Sequence, residues 1–131
     1  MSVAVTAIYA GLLALLSVVF TARVGIYRVH SRVLFGDGGD EGLLRRQRAH
    51  GNFAEQVPFT VLLLALAELS GGAAWLLHAL GATLLVARVL HYHTLMTRPA
   101  SLARPLTMIA TFGVQVTCAV VLIGKGIGAL S

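Results

Sequence analysis

Four long apolar stretches alternate with short polar segments along the chain. Uncharged residues run from Val3 to Ala22 and from Pro105 to Gly124, and apolar residues dominate 53–69 and 73–91. Stretches of about 17–25 such residues are long enough to cross a hydrocarbon core as α-helices. Helix is the conformation expected, because an open chain in lipid must satisfy its backbone hydrogen bonds within each segment. The pattern therefore predicts an all-α integral membrane four-helix bundle, as a single domain over 1–131.

The polar segments between these stretches predict where the helices begin and end. The run GDGGDEG (36–42) indicates a turn, with Asp40 as the N-cap of the second helix. Pro99 predicts the end of the third helix, and Pro105 suits the first turn of the fourth. The first stretch lacks the basic segment of a cleaved signal peptide, so we interpret it as a retained span. The predicted helices cover about 3–34, 43–69, 73–97 and 104–125.

The composition excludes an ordinary soluble domain. Apolar residues occupy 57% of the 131 positions and charged residues only 11%, whereas soluble domains carry about 25% charged residues. So few charged residues could not cover the surface of a soluble helical protein. The single cysteine, Cys118, excludes an intramolecular disulfide framework.

The arginines predict how the bundle is oriented in the membrane. They flank the first connection and lie in the third, whereas the middle connection, 70–72, has no lysine or arginine. By the positive-inside rule, the first and third connections then lie in the cytoplasm and both termini lie outside. The net charge of +5 does not indicate nucleic-acid binding, because no basic stripe with stacking aromatic residues is present.

Several polar side chains lie too deep in the predicted helices to be explained by orientation. Arg48, Asn52 and Glu55 follow an i, i+4, i+7 spacing and share one helix face within about 60°. Arg88 and His91 form an i, i+3 pair, and Arg88 lies about 15 Å along its helix from the predicted break. A charged side chain within a span is costly and normally faces a partner or an aqueous cavity.

All of these residues belong to the predicted cytoplasmic halves, which a bundle of antiparallel helices would bring into one pocket. Each also has a structural explanation: Arg48 could extend to lipid phosphate, Glu55 could pair with an arginine, and Asn52 could join two helices. A pocket with several cations, a carboxylate, an amide and an imidazole suits a small, net-anionic guest that carries an ammonium group. Arginines would hold its carboxylates, and Glu55 would hold its amine.

Four motifs in register resemble the MAPEG family, the membrane-associated proteins in eicosanoid and glutathione metabolism. They are IYRVHSRVLFGDGG (26–39), the more specific RAHGNFAEQVPF (48–59), ARVLHYHTL (87–95), and Arg104 after a proline-containing loop. The compact GDGG turn is similar to that of the bacterial branch, which implies the bacterial inner membrane. The resemblance implies a four-helix homotrimer that binds glutathione between neighbouring subunits near the cytoplasmic face.

The same resemblance implies an activity and a set of site residues. The implied activity is that of a glutathione transferase acting on lipophilic electrophiles from the bilayer, with a peroxidase activity as an additional option. Arg104 is the implied catalytic residue, because a guanidinium and a helix start both favour the glutathione thiolate. The implied glutathione-binding residues are Arg28, Arg48, Asn52, Glu55, Arg88, His91 and Arg104. We expect no metal site, since His91 and His93 lie on different faces of one helix.

Two positions depart from the family pattern and keep other functions open. Leu95 stands where several eukaryotic members have a tyrosine, and Gly51 stands where members often have an arginine. A non-catalytic trimeric binding or scaffold protein is therefore the main alternative. A proton or ion pathway is a further alternative, because Glu and His within spans are its usual sign. A haem bundle is disfavoured, because His78 and His91 lie on one predicted helix.

Overall fold

In a computed structural model, which describes residues 2–130, the chain forms four α-helices joined by three short connections. Met1 and Ser131 of the predicted domain lie outside the described residues. All four helices are long and apolar enough to cross a membrane, and the described residues contain no strand. The prediction of an all-α four-helix membrane protein is confirmed. The helices are α1 (Ala4–Ser31), α2 (Glu41–Leu69), α3 (Ala74–Thr97) and α4 (Ala103–Leu130).

Two helix ends differ from the predicted ones by three residues or more, and α2 begins at Glu41 rather than at residue 43. α1 ends at Ser31 rather than near residue 34, because Arg32 adopts the left-handed conformation, with a φ of 55°. This conformation is the usual way to end a helix, although glycine is the residue that adopts it most easily. α4 continues to Leu130 rather than ending near residue 125. Isolated glycines in its last turns weaken a helix by only about 1 kcal/mol each relative to alanine and need not end it.

α2 begins at its predicted N-cap, Asp40. The Asp40 carboxylate accepts a hydrogen bond from the Leu43 N–H at 2.9 Å, and the Tyr27 hydroxyl donates to it at 3.2 Å. The Leu43 N–H holds the pKa of the Asp40 carboxyl below its ordinary value, because it stabilises the ionised form. Tyr27 passes so close to Gly42 that any Cβ there would overlap its hydroxyl. This contact ties the end of α1 to the start of α2.

An aromatic cluster joins α1, α2 and α3 in the half of the bundle near this connection. The rings of Phe20 and Tyr92 stack with centroids 3.9 Å apart, and Phe53 meets Phe20 edge-on at 5.2 Å. All three side chains are buried. Such ring pairs contribute about 0.5–1.5 kcal/mol each beyond the area they bury. The cluster therefore fixes α2 and α3 relative to each other next to the polar positions singled out above.

The outer faces of the bundle are apolar. Large hydrophobic side chains on α1 and α4 are mostly exposed; for example, Leu15 is 67% exposed and Val120 is 65% exposed. A soluble monomer rarely exposes a contiguous apolar surface of this extent. This surface suits contact with lipid tails, as the four long helices require.

At the end of the bundle away from the first connection, Glu68 caps the start of α1. α1 has no side-chain cap of its own, but the Glu68 carboxylate accepts hydrogen bonds from Val5 N–H at 2.9 Å and Thr6 N–H at 2.8 Å. The first N–H groups of a helix have no partner within it, and a negative charge there is also favoured by the helix dipole. Glu68 thus has a structural role that links the last turn of α2 to the first turn of α1.

Replacing Glu68 by Gln should lower the free energy of unfolding by about 1 kcal/mol, because it removes the charge and one of two acceptors at a helix N-terminus. Thermal unfolding in detergent measures the change. Glu41→Gln is the matched control, because Glu41 makes one exposed i, i+4 ion pair with Arg45, and such helix pairs are worth only about 0.3–0.5 kcal/mol. Equal destabilisation by the two variants would contradict the capping role.

Candidate functional site

One cavity, of about 420 Å³, lies where the first half of α2, the second half of α3 and the start of α4 meet. Its volume falls within the range of small-molecule sites, about 300–1,000 Å³. The cavity brings together five of the seven residues predicted to bind a ligand. They are Arg48, Asn52 and Glu55 from α2, His91 from α3 and Arg104 from α4.

Arg88, the sixth predicted residue, lies directly behind this cavity. It is only 2% exposed, and its Nη1 donates a hydrogen bond to the Asn52 Oδ1 at 2.8 Å. Its Nη2 donates to the Thr107 carbonyl at 3.2 Å and to the Thr111 hydroxyl. Every one of these acceptors is neutral, and its Nε is buried without a hydrogen-bond partner among the described residues. The guanidinium therefore brings a positive charge to the cavity that no carboxylate in 2–130 neutralises.

The orientation of His91 follows from its neighbour Thr107. The Thr107 hydroxyl donates its hydrogen to the Arg104 carbonyl at 2.8 Å, so towards His91 Nδ1, also at 2.8 Å, it must act as an acceptor. His91 Nδ1 is then the protonated nitrogen, as assigned from the hydrogen-bond network. In the neutral ring this leaves Nε2 as an acceptor. One threonine thus fixes the tautomer of the imidazole that lines the cavity.

The remaining cavity residues keep their charged groups available. Arg48, Glu55 and Arg104 are exposed, and none of their side chains forms a hydrogen bond within the described part of the chain. The alternative in which Glu55 pairs with an arginine is not found, because the only ion pair within 2–130 joins Arg45 to Glu41. Arg104 is the second residue of α4, so the partial positive charge of the helix start adds to its own.

Arg28, the seventh predicted residue, lies elsewhere in the chain. Its Nη1 donates to the carbonyls of Val33, Leu34 and Gly36 at 3.0–3.3 Å and so stabilises the first connection. It does not line the cavity described above. Any contact between Arg28 and a ligand in this cavity would have to come from a neighbouring subunit, and that contact stays a prediction.

Residues that the motifs did not single out complete the site. Thr107 and Thr111 hold Arg88 and His91, and their i, i+4 spacing in a mostly apolar helix was a signal for them in the sequence. Leu95 and Gly51 line the cavity, so both departures from the family pattern reduce its polar contacts. Among the described residues, no group of three or more His, Cys, Asp or Glu side chains could hold a metal ion.

The match to a known family covers nearly all of these elements. The model of the MAPEG family matches residues 6–124. The chain belongs to the MAPEG family. The match confirms the resemblance seen in the motifs, and membership suggests a membrane function like that of a glutathione transferase or a related one.

Two curated relatives support membership in MAPEG. The inner membrane protein YecN of Escherichia coli K12 is 39% identical over 89 residues, which cover 68% of this chain and 68% of the relative. The YecN protein of Escherichia coli O6:H1 matches to the same extent. No solved structure matches the chain. YecN is named for its location in the inner membrane, and its name states no reaction.

Replacing Thr107 by Val should destabilise the protein by about 1–3 kcal/mol, because it keeps the shape but leaves the buried His91 Nδ1–H without an acceptor. Thermal unfolding in detergent measures the loss. Thr117→Val is the matched control on the same helix, since the Thr117 hydroxyl donates only to the Gly113 carbonyl one turn away. If the control loses as much stability as Thr107→Val, the proposed role of Thr107 in holding His91 is wrong.

Proposed function

We propose that the protein is a membrane-bound glutathione transferase that joins the glutathione thiolate to lipophilic electrophiles. The observation that carries the proposal is that Arg48, Asn52, Glu55, His91 and Arg104 line one cavity. Arg88 lies buried behind it and forms no ion pair within residues 2–130. A site with this surplus of positive charge and one free carboxylate requires a ligand of the complementary kind.

The charges of glutathione match those of the cavity. One carboxylate suits the guanidinium of Arg48, because arginine binds carboxylates with paired hydrogen bonds. The other suits the positive electrostatic potential that Arg88 produces in the cavity. Its ammonium group suits Glu55, which has no other ion partner in the described chain. Asn52 uses its Oδ1 to accept from Arg88, so its amide N–H groups are left to donate to a ligand carboxylate. The proposed ligand therefore satisfies groups that the fold leaves unpaired.

Arg104 is the proposed catalytic residue. Its guanidinium lines the cavity at the start of α4 and stays charged at any physiological pH. A positive charge next to the thiol favours loss of the thiol proton to solvent, and the thiolate is the nucleophile. The thiolate sulfur then forms a bond to the electrophilic carbon, and the leaving group departs with its bonding electron pair. Positioning both reactants supplies a further part of the rate.

We also propose the assembly that the family implies and the orientation that the arginines indicate. The protein would be a homotrimer in a bacterial inner membrane, with both termini outside and the cavity open to the cytoplasm. The distribution of arginines around the first and third connections supports this orientation. The location stated in the name of YecN supports the membrane. A lipophilic electrophile dissolved in the bilayer would then meet glutathione from the cytoplasm at the end of the bundle.

A non-catalytic binding protein is the second candidate, and one observation favours it. Leu95 and Gly51 line the cavity at positions where polar family residues would hold the tripeptide more firmly. An ion pathway has less support, because Glu68, the acidic group of the opposite half, is engaged by two backbone N–H groups of α1. The experiment on Arg104 distinguishes catalysis from binding alone.

Replacing Arg104 by Gln should lower the rate of conjugation by about 10²-fold, as when one group that stabilises a developing anion is removed. The measurements are thiolate absorbance on adding glutathione, and conjugation of an activated aryl halide, both in detergent. The control is Arg98→Gln, which removes the same charge from an arginine outside the cavity. Absence of binding at millimolar glutathione would overturn the proposal. A wild-type protein that binds glutathione but conjugates nothing, with Arg104→Gln unchanged, would establish the non-catalytic alternative.

Replacing Arg48 by Gln should weaken glutathione binding by about tenfold, because one charge-assisted hydrogen bond to a carboxylate is lost. The maximal rate at saturating glutathione should change much less, since Arg48 is proposed to hold the ligand and not to act on its thiol. Calorimetric titration and steady-state kinetics separate the two effects. If Arg48→Gln and Arg98→Gln have the same affinity, Arg48 does not contact the ligand.

A further inference from the structure

A second cavity, of about 640 Å³, lies between the end of α1 and the start of α2. It shares no lining residue with the cavity described above. Its walls combine cationic and aromatic side chains with a few apolar ones. Its main lining residues are Arg23, Tyr27, His30, Arg45, Arg46 and Met96. The proposed transferase chemistry uses none of them.

Two of its arginines lie near aromatic rings. The Arg46 guanidinium lies 4.0 Å above the centroid of the Tyr27 ring, and its Nη1 donates to the Gly42 carbonyl at 2.8 Å. Arg23 lies 5.8 Å from the centroid of the Tyr92 ring. A ring face attracts a cation but leaves the edge of the guanidinium open for hydrogen bonds. Arg46 is therefore positioned before any ligand arrives, and the Arg23 side chain lines the same cavity.

The cavity carries more positive charge than its acidic neighbours balance. Glu41 pairs with Arg45, and Asp40 is engaged by the Leu43 N–H and the Tyr27 hydroxyl. Arg46 lies close enough to Asp40 to favour its ionised form, but Arg23 and Arg46 form no ion pair within residues 2–130. An anion with several acceptor oxygens, such as a phosphate group, fits two guanidinium groups that line one cavity.

The surroundings of the cavity indicate that its ligand has an apolar part. Ile26 and Met96 line the cavity, and Ile26 is 60% exposed. Because α1 and α2 are both long enough to cross the bilayer, a cavity at their joined ends lies at the level of lipid headgroups. Basic pockets between helices at this level are suited to anionic lipid headgroups.

We propose that this cavity binds the phosphodiester headgroup of an anionic phospholipid, with Arg23 and Arg46 holding the phosphate and the acyl chains leaving past Ile26. The site does not depend on the transferase activity. The arginines at this connection would then bind a specific ligand, in addition to setting the orientation of the protein in the membrane.

The test uses the whole protein in detergent, with lipid binding measured by native mass spectrometry and by the shift in melting temperature. Phosphatidylglycerol should bind and raise the melting temperature, and phosphatidylcholine should have a much smaller effect. Arg23→Gln and Arg46→Gln should each weaken phosphatidylglycerol binding by about fivefold. Arg98→Gln, outside the cavity, should keep wild-type binding. If Arg46→Gln fails to fold because it loses its contacts with Tyr27 and Gly42, phosphatidylglycerol binding by Arg23→Gln alone decides whether the cavity holds the phosphate.

Three results would each overturn the proposal. Equal binding of phosphatidylglycerol and phosphatidylcholine would show that the phosphate site has no preference for an anionic lipid. An equal loss of binding in Arg98→Gln would show a diffuse effect of charge. A shift in melting temperature produced equally by inorganic phosphate would show that the cavity binds soluble anions and needs no acyl chain.

Discussion

The interaction on which the rest of this structure depends is the burial of Arg88 among neutral oxygens. A guanidinium 2% exposed in the middle of four apolar helices is tolerated only when its N–H groups are satisfied. The Asn52 amide, the Thr107 carbonyl and the Thr111 hydroxyl satisfy most of them, so α2, α3 and α4 must meet at this point. These acceptors carry no negative charge. A negatively charged ligand group could balance the charge of Arg88 from the adjoining cavity.

Thr107 makes the fold and the site inseparable. Its carbonyl accepts from Arg88 and from Thr111, and its hydroxyl links His91 to the Arg104 carbonyl. The residue that orients the imidazole therefore also supports the buried cation and the first turn of α4. A substitution there acts on stability and on ligand contacts together.

The sequence was sufficient to predict the four helices and most of the cavity, because burial in lipid leaves few choices. A polar stripe such as Arg48, Asn52 and Glu55 must face inward, and antiparallel helices then bring it towards Arg88. The remaining features depend on contacts between distant positions, which spacing does not reveal. Glu68 caps α1 across 63 positions of sequence, and Arg28 is engaged by carbonyls of a connection whose path only the folded chain defines.

The two cavities present arginine in physically different ways, and this difference would let one chain keep the two proposed anionic ligands apart. Arg88 is buried, so its charge acts through a low dielectric on the adjoining cavity, and a carboxylate placed there would gain strongly. Arg23 and Arg46 lie near aromatic rings at a more open surface, where screening weakens each contact and an amphiphile would gain from apolar contact as well. A small, water-soluble anion without an apolar part would thus have its best site in the first cavity, and a lipid phosphate in the second.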